Sequence, residues 1–361
     1  MRILISSTQY PYHGGAATNA YAIIKELRRK GHTVCGLFFE NGGANCDPDK
    51  IGGILKSKSK YNNNDLTIKI SRILGGDPEV VLAKNYGAPV HCRDLYSKVK
   101  IIYLVSGSPM MIPASKSKVS AVKYLSYNDS KIKEVCGGKT YNSAELGAIK
   151  CSDAIILNSL ISSRLFNKTY SNYLGSKLVF PPLDTSYISS AKASRGKSFR
   201  SRNIDVTFVC SNFHRDVKNA GFAKKLFLHK SIAKKSKFAI GDGYRAFANV
   251  PGLVCRGKIR HTAVMNYLAR SRVVICPSYF DASPNVIREA IDSGCNVLVS
   301  KNCGWSENYG ERSVCRDVYS VSEWARKLLY LCNDKVTYSN ISSKNKIIMN
   351  LENYILKTIV S

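Results

Sequence analysis

The chain has 361 residues, more than the roughly 250–300 over which a single hydrophobic core keeps growing, so at least two compact domains are predicted and a small binding module is excluded. Hydrophobic residues make up 44% and charged residues 22%, which excludes a mainly disordered chain, and no apolar run reaches the ~18 residues of a membrane-spanning helix. With 54 Lys and Arg against 25 Asp and Glu the net charge is +29; this points to a phosphate-rich partner, to an anionic membrane surface, or to biased composition alone.

The first apolar run, residues 3–5, turns polar too soon to be the core of a secretory signal, so the expected location is cytoplasmic, soluble or peripherally membrane-associated. A Gly-containing turn follows. A helical stripe then starts close to Gly15, with Ala20, Ile23, Ile24 and Leu27 on one face, Lys25, Arg28 and Arg29 on the other, and Gly31 as its stop. A second apolar run at 34–39 completes a β-α-β pattern. Further strands are predicted at 80–83, 101–105, 154–157 and 178–180, spaced widely enough for intervening helices. Residues 1–183 therefore read as an N-terminal Rossmann-like domain, and 184–203, rich in Ser and carrying Lys192, Arg195, Lys197, Arg200 and Arg202, as a basic linker.

The alternation then restarts. Strands are predicted at 206–210, 238–240, 253–255, 273–276 and 297–299, and helices at 220–229, 263–269, 286–292 and 321–331, giving a second Rossmann-like domain over 204–335. The remaining residues, 336–361, hold a helical stripe of Ile348, Leu351, Ile355 and Ile359, expected to pack back on the N-terminal domain. The predicted fold class is α/β, two doubly wound parallel-sheet domains facing across a cleft.

Several chemistries lack their signatures. The 12 cysteines are scattered without a Cys-x-x-Cys pair, so neither a metal site nor a disulfide framework is predicted, and Cys35, Cys210 and Cys276, each ending an apolar run, read as small buried hydrophobes. Asp47-Pro48-Asp49 has an Asp-x-Asp form that can hold a divalent metal, but its Gly- and Asn-rich surroundings read as a plain turn. Gly14 and Gly15 do not make the G-x-G-x-x-G of an NAD site, and no phosphate-binding G-x-x-x-x-G-K-[ST] is present. The six histidines show no metal spacing, and only His13, beside those glycines, stands out.

The segment 277–299 carries the most chemistry. Ser283 reads as a helix N-cap, Pro284 as the first helical residue and Gly294 as the stop. The amides of Asn285 and Val286, at the positive end of such a helix, suit a phosphate. Asp281 precedes the helix at the carboxyl end of a strand, where open α/β sheets bind ligands. It could reach hydroxyls beyond a diphosphate, and Glu289, in the second turn, could accept from a vicinal diol such as a ribose presents. As isolated acids they read equally as a turn residue and a solvated helix residue.

The spacing Asp281-x7-Glu289, followed by Ala290, Gly294 and a Val-rich strand, resembles the signature of GT-B glycosyltransferases of the family 4 type, with Asp281 where those enzymes usually have Glu. The resemblance extends along most of the chain, through Pro11-Tyr12-His13-Gly14-Gly15, Ser152-Asp153-Ala154, Pro181-Pro182-Leu183-Asp184 and Ile240-Gly241-Asp242-Gly243. It implies a retaining, metal-independent glycosyltransferase, without a cofactor, acting on a UDP- or GDP-linked sugar and a glycan, glycoprotein or lipid-linked acceptor. It implies Asp281 and Glu289 as catalytic residues, Glu289 on the ribose, and Asp281 with Ser283 on the donor sugar. Lys218, Arg215, Gly14, Gly15, Asn285 and Val286 would meet the diphosphate, Arg215 standing in for a family Arg whose place holds Asn212 or Phe213. The family's N-domain His is replaced in Val105-Ser106-Gly107-Ser108-Pro109. Peripheral contact with an anionic membrane is a further expectation; no nucleic acid is expected. The alternatives are a sugar-nucleotide epimerase of the same fold and a polyanion or nucleic-acid binder built on it.

Overall fold

A computed structural model describes residues 1–8, 15–39, 47, 50–57, 63–107, 114, 116–185, 198–338 and 343–361. The chain divides into two compact units, the first made of residues 1–109, 141–189 and 342–361, the second of 110–140 and 190–341. That the segment 110–140 belongs with the second unit is not foreshadowed by the sequence pattern.

The first unit is built on a seven-stranded parallel sheet in the order β3-β2-β1-β4-β5-β6-β7. Its strands are β1 (Arg2–Ser7), β2 (Thr33–Phe39), β3 (Ile54–Ser57), β4 (Val80–Lys84), β5 (Lys100–Val105), β6 (Ala154–Leu157) and β7 (Leu178–Phe180). Strands covered on both faces read as continuous apolar runs, as β1, β4 and β6 do. The helix α1 (Gly15–Arg29) buries Ala20, Ile23, Ile24 and Leu27 completely against one face of the sheet. Helices α2 (Asn63–Leu74) and α3 (Gly87–Leu95) cover the other face through Leu66, Ile70, Ala88 and Cys92.

Three more helices belong to this unit in chain order after two short ones in the second: α4 (Ala121–Leu125), α5 (Asp129–Val135), α6 (Ser143–Lys150) and α7 (Leu160–Tyr170), of which α6 and α7 lie in the first unit, joined there by the chain's final helix. Ser159 caps α7 by accepting the Ser162 amide at 3.3 Å. The final helix places Ile347, Ile348, Leu351 and Ile355 in the same core as Ile3, Ile24 and Leu183.

The second unit has a six-stranded parallel sheet in the order β10-β9-β8-β11-β12-β13. The strands are β8 (Ile204–Asn212), β9 (Lys237–Asp242), β10 (Leu253–Arg256), β11 (Ser271–Cys276), β12 (Asn296–Ser300) and β13 (Val314–Cys315). Helices α8 (Ala220–Leu228) and α11 (Val321–Asn333) pack on one face around Trp324, and α9 (His261–Leu268) and α10 (Asn285–Asp292) on the other. The final helix is α12 (Lys344–Val360).

Two basic residues depart from a solvated reading. Arg202, which composition groups with the linker, is buried and donates to the Ser271 and Ser293 carbonyls at 2.7 and 2.8 Å. Lys237 is buried too and donates to the Ala233 carbonyl at 2.8 Å, closing the end of the preceding turn. Most of the linker, residues 186–197, lies outside the described residues.

Candidate functional site

In an open parallel sheet the chain leaves adjacent strands in opposite directions at one place, and the loops there spread apart to leave a crevice. In the second unit that place lies between β8 and β11, which pair in parallel from Ser271↔Ile204 to Ile275↔Phe208. The loop after β8 and the loop after β11 are fastened to each other: the Tyr279 amide donates to the Val217 carbonyl at 2.9 Å, and Asn219 Nδ2 to the Pro277 carbonyl at 3.1 Å. Asn219 holds a left-handed conformation, φ 55°, at the start of α8, a backbone state that Asn tolerates well.

These fastenings bring Lys218 and Asp281 into contact. Lys218 Nζ donates to Asp281 Oδ2, with side-chain exposures of 19% and 13%. Burial alone would lower the lysine's pKa; the facing Asp281 carboxylate overcomes it and holds the ammonium above its ordinary value. Asp281 is in turn held at its backbone, its amide donating to Asn302 at 3.2 Å and its carbonyl accepting from Gly304 at 2.7 Å. The two residues that the sequence assigns separately to diphosphate and sugar are thus one ion pair.

The helix α10 begins one residue later than expected. Pro284, not Ser283, is its N-cap, with φ −72° and ψ 110°, and Asn285 is the first helical residue. Pro has no amide to offer, so the first backbone donors of this end are those of Asn285 and Val286. Gly294 closes the helix at φ 75°. Glu289 lies on the buried side of α10, and its Oε1 is 2.9 Å from His261 Nε2. The hydrogen bond to Glu289 raises the His261 pKa against the opposing effect of burial.

Sequence reasoning missed His261. The predicted helix starts at 263, two residues after α9 does, and nothing in the local pattern links His261 to an acid 28 positions away. Arg215 is exposed on the loop after β8, where the Lys218 amide donates to its carbonyl at 2.9 Å. Gly15 opens α1 in the first unit, and Gly14 and His13 lie outside the described residues. Asp47 behaves as the turn residue expected of it, accepting from the Tyr21 hydroxyl and the Ile51 and Gly52 amides at 2.8, 2.9 and 2.8 Å; Pro48 and Asp49 are outside the described residues.

The cysteines are buried or partly buried and free among the described residues. Burial pushes Cys35 up to about 12, as for a small hydrophobe. Cys276 differs: Cys303 Sγ lies 3.6 Å from its sulfur, and that hydrogen bond holds the Cys276 pKa below its ordinary value.

Residues 205–334, within the second unit, match the family model described as "Glycosyl transferases group 1". No curated protein matches the chain by sequence. Among solved structures, sucrose-phosphate synthase from Thermosynechococcus elongatus is 10% identical with a TM-score of 0.62, each chain covered to 100%. The catalytic domain of starch synthase IV from Arabidopsis thaliana, bound to ADP and acarbose, is 10% identical with a TM-score of 0.63 and the same full coverage. An alpha-glucosyltransferase in complex with UDP and a 13-mer DNA is 10% identical with a TM-score of 0.63, covering 99% of this chain and 100% of its own. At such identities the likeness establishes the fold, which is that of the GT-B glycosyltransferases.

Proposed function

We propose that the chain is a glycosyltransferase that moves a sugar from a UDP- or GDP-linked donor to an acceptor hydroxyl, with retention of configuration and without a metal ion. The observation that carries this reading is the placement of the Lys218–Asp281 pair at the switch point of the second sheet, beside the helix that buries Glu289. An ammonium has three donors and a carboxylate two acceptor oxygens. Lys218 can therefore hold Asp281 and still donate to a diphosphate, while the second oxygen of Asp281, with Ser283, takes hydroxyls of the donor sugar. Glu289 accepts from the ribose. Arg215 and the amides of Asn285 and Val286 complete the diphosphate contacts.

In the reaction the acceptor oxygen bonds to the anomeric carbon as its bond to the diphosphate breaks. The acceptor proton passes to the departing phosphate oxygen. The charge that grows on that phosphate is met by Lys218 and Arg215. The acceptor is a glycan, a glycoprotein or a lipid-linked sugar, and the exposed Lys225, Lys230 and Lys234 support attraction to an anionic membrane that carries it. Among the described residues no helix is long and apolar enough to cross a membrane.

The test is incubation with UDP- and GDP-sugars in the presence of a chelator, with and without acceptors. Release or transfer of sugar supports the proposal, and an altered sugar nucleotide formed from donor alone would favour an epimerase. If no donor reacts and neither UDP nor GDP raises the melting temperature, the reading fails; steeply salt-dependent binding to DNA or RNA would then favour a polyanion binder.

A further inference from the structure

The first unit has a switch point of its own, between β1 and β4, and a lysine stands at it. The register pairs Ser7, the last residue of β1, with Lys84, the last residue of β4. Laterally paired residues of parallel strands project from the same face of a sheet. Lys84 is 2% exposed, and its ammonium makes one hydrogen bond among the described residues, to the Thr185 hydroxyl at 3.1 Å. No carboxylate lies within ion-pair distance of it among those residues. Burial depresses its pKa to about 8, an effect that the field of Asp184 offsets only in part.

Two further hydroxyls at the carboxyl end of the same sheet lack partners among the described residues. Ser7 is fully buried, and among the described residues its hydroxyl has no hydrogen-bond partner. On the next strand of the sheet, the hydroxyl of Ser106, immediately after β5, is also shut off from water and has no partner among the described residues. Asn85, in the left-handed region at φ 70°, fastens the rim by donating to the Thr8 hydroxyl at 3.1 Å. Buried polar groups are nearly always satisfied, and clusters that are not call for an absent ligand or water. A cation with two hydroxyls calls for an oxyanion.

We propose that Lys84, Ser7 and Ser106 form an oxyanion site at the carboxyl edge of the first unit that takes a phosphate group of a substrate. The phosphate supplies a counter-charge in direct contact with Lys84 and accepts from both hydroxyls. It belongs either to a phosphorylated sugar or to a nucleoside diphosphate. The site is independent of Lys218 and Glu289.

The experiment uses the full chain, with inorganic phosphate as the probe and chloride of equal ionic strength as the control, read by calorimetric titration and melting temperature. Wild type should bind phosphate and melt higher in it. Lys84→Met should bind at least about tenfold more weakly while its unliganded form melts no lower, because an uncompensated buried charge has been removed. Ser7→Ala and Ser106→Ala should each weaken binding several-fold, and they decide the matter if Lys84→Met does not fold. Lys218→Met should keep the first unit's response. Glucose 6-phosphate and UDP then identify the source: a loss in Lys84→Met confined to the sugar phosphate assigns the site to that class, and a loss for UDP as well assigns it to the nucleotide. Phosphate affinity equal to wild type in Lys84→Met or in both serine variants, or no response of wild type beyond chloride, overturns the proposal.

Discussion

His261 Nε2 and Glu289 Oε1 are 2.9 Å apart, the histidine at the first residue of α9 and the acid in the second turn of α10. Partial burial opposes the charge on the imidazole, and the bond to Glu289 prevails, so its pKa is raised. The sign follows: the pairing is complete below the ordinary histidine value of about 6.5 and is lost as pH rises through the higher folded value.

His261→Ala should therefore weaken UDP or GDP binding several-fold at pH 6 by releasing the Glu289 side chain, with a smaller difference at pH 8. His261→Gln, which keeps a donor, should restore part of it. Equal affinities of wild type and His261→Ala at pH 6 would show that the histidine does not position Glu289.

Glu289→Ala should weaken nucleotide diphosphate binding about tenfold or more while the melting temperature stays within a few degrees, since loss of a ribose contact by a charged acceptor is worth roughly 1.5–3 kcal/mol. Titration of UDP and GDP against both proteins measures it. Undiminished affinity would take Glu289 out of the site.

Lys218→Met leaves the Asp281 carboxylate largely buried without its cation. Breaking a buried pair costs about 3–5 kcal/mol, and the residual exposure of 13% at Asp281 reduces the figure to roughly 2–3 kcal/mol. The double variant Lys218→Met/Asp281→Leu should recover most of that stability and none of the sugar transfer. Chemical denaturation of the three proteins beside a transfer assay separates the two effects.

Glu145 is fully buried in α6, where burial raises its carboxyl pKa to about 8 against the lowering effect of hydrogen bonds from Tyr170 and Tyr103. A carboxyl that binds its proton more tightly when folded stabilises the protein below about pH 4.5, and the contribution is lost as pH rises toward 8. Glu145→Gln should accordingly raise the melting temperature at pH 8 and change it little at pH 5. The same shift at both pH values would mean that the carboxyl is ionised in the fold.

Gly241 has φ 153°, and a Cβ added there would lie 1.9 Å from the Cys210 carbonyl oxygen on the neighbouring strand. Gly241→Ala should cost about 2–3 kcal/mol or more, through backbone strain and the parting of β8 from β9. A denaturation midpoint equal to wild type would contradict the close approach of these strands.

The parallel strands were legible because burial on both faces makes each a run of aliphatic residues, as in Val80–Lys84 and Ser271–Cys276. The edge strand Ile54–Ser57 escaped notice because its short segment alternates with lysine and serine. The bounds of the helix Gly87–Leu95 were not legible, because its opening Gly and the Pro in its first turn occur in loops as well as at helix starts. At the candidate site, Asp281 and Glu289 were proposed from their spacing and Lys218 from the resemblance of its loop. His261 and Lys84 were not, since a histidine opening a polar turn and a lysine ending a strand each look like solvated residues until the folded chain covers them.

The return of α12 to the first unit has a bearing on how the protein is made. Ile347, Ile348, Leu351 and Ile355 fill the same core as the opening strand, so that core stays open during synthesis until residues 344–360 have emerged. The second unit's segments are complete before then. A nascent chain would thus carry a finished second unit beside an unsealed first one, and the first-made half of the polypeptide would be the last to become resistant to proteases.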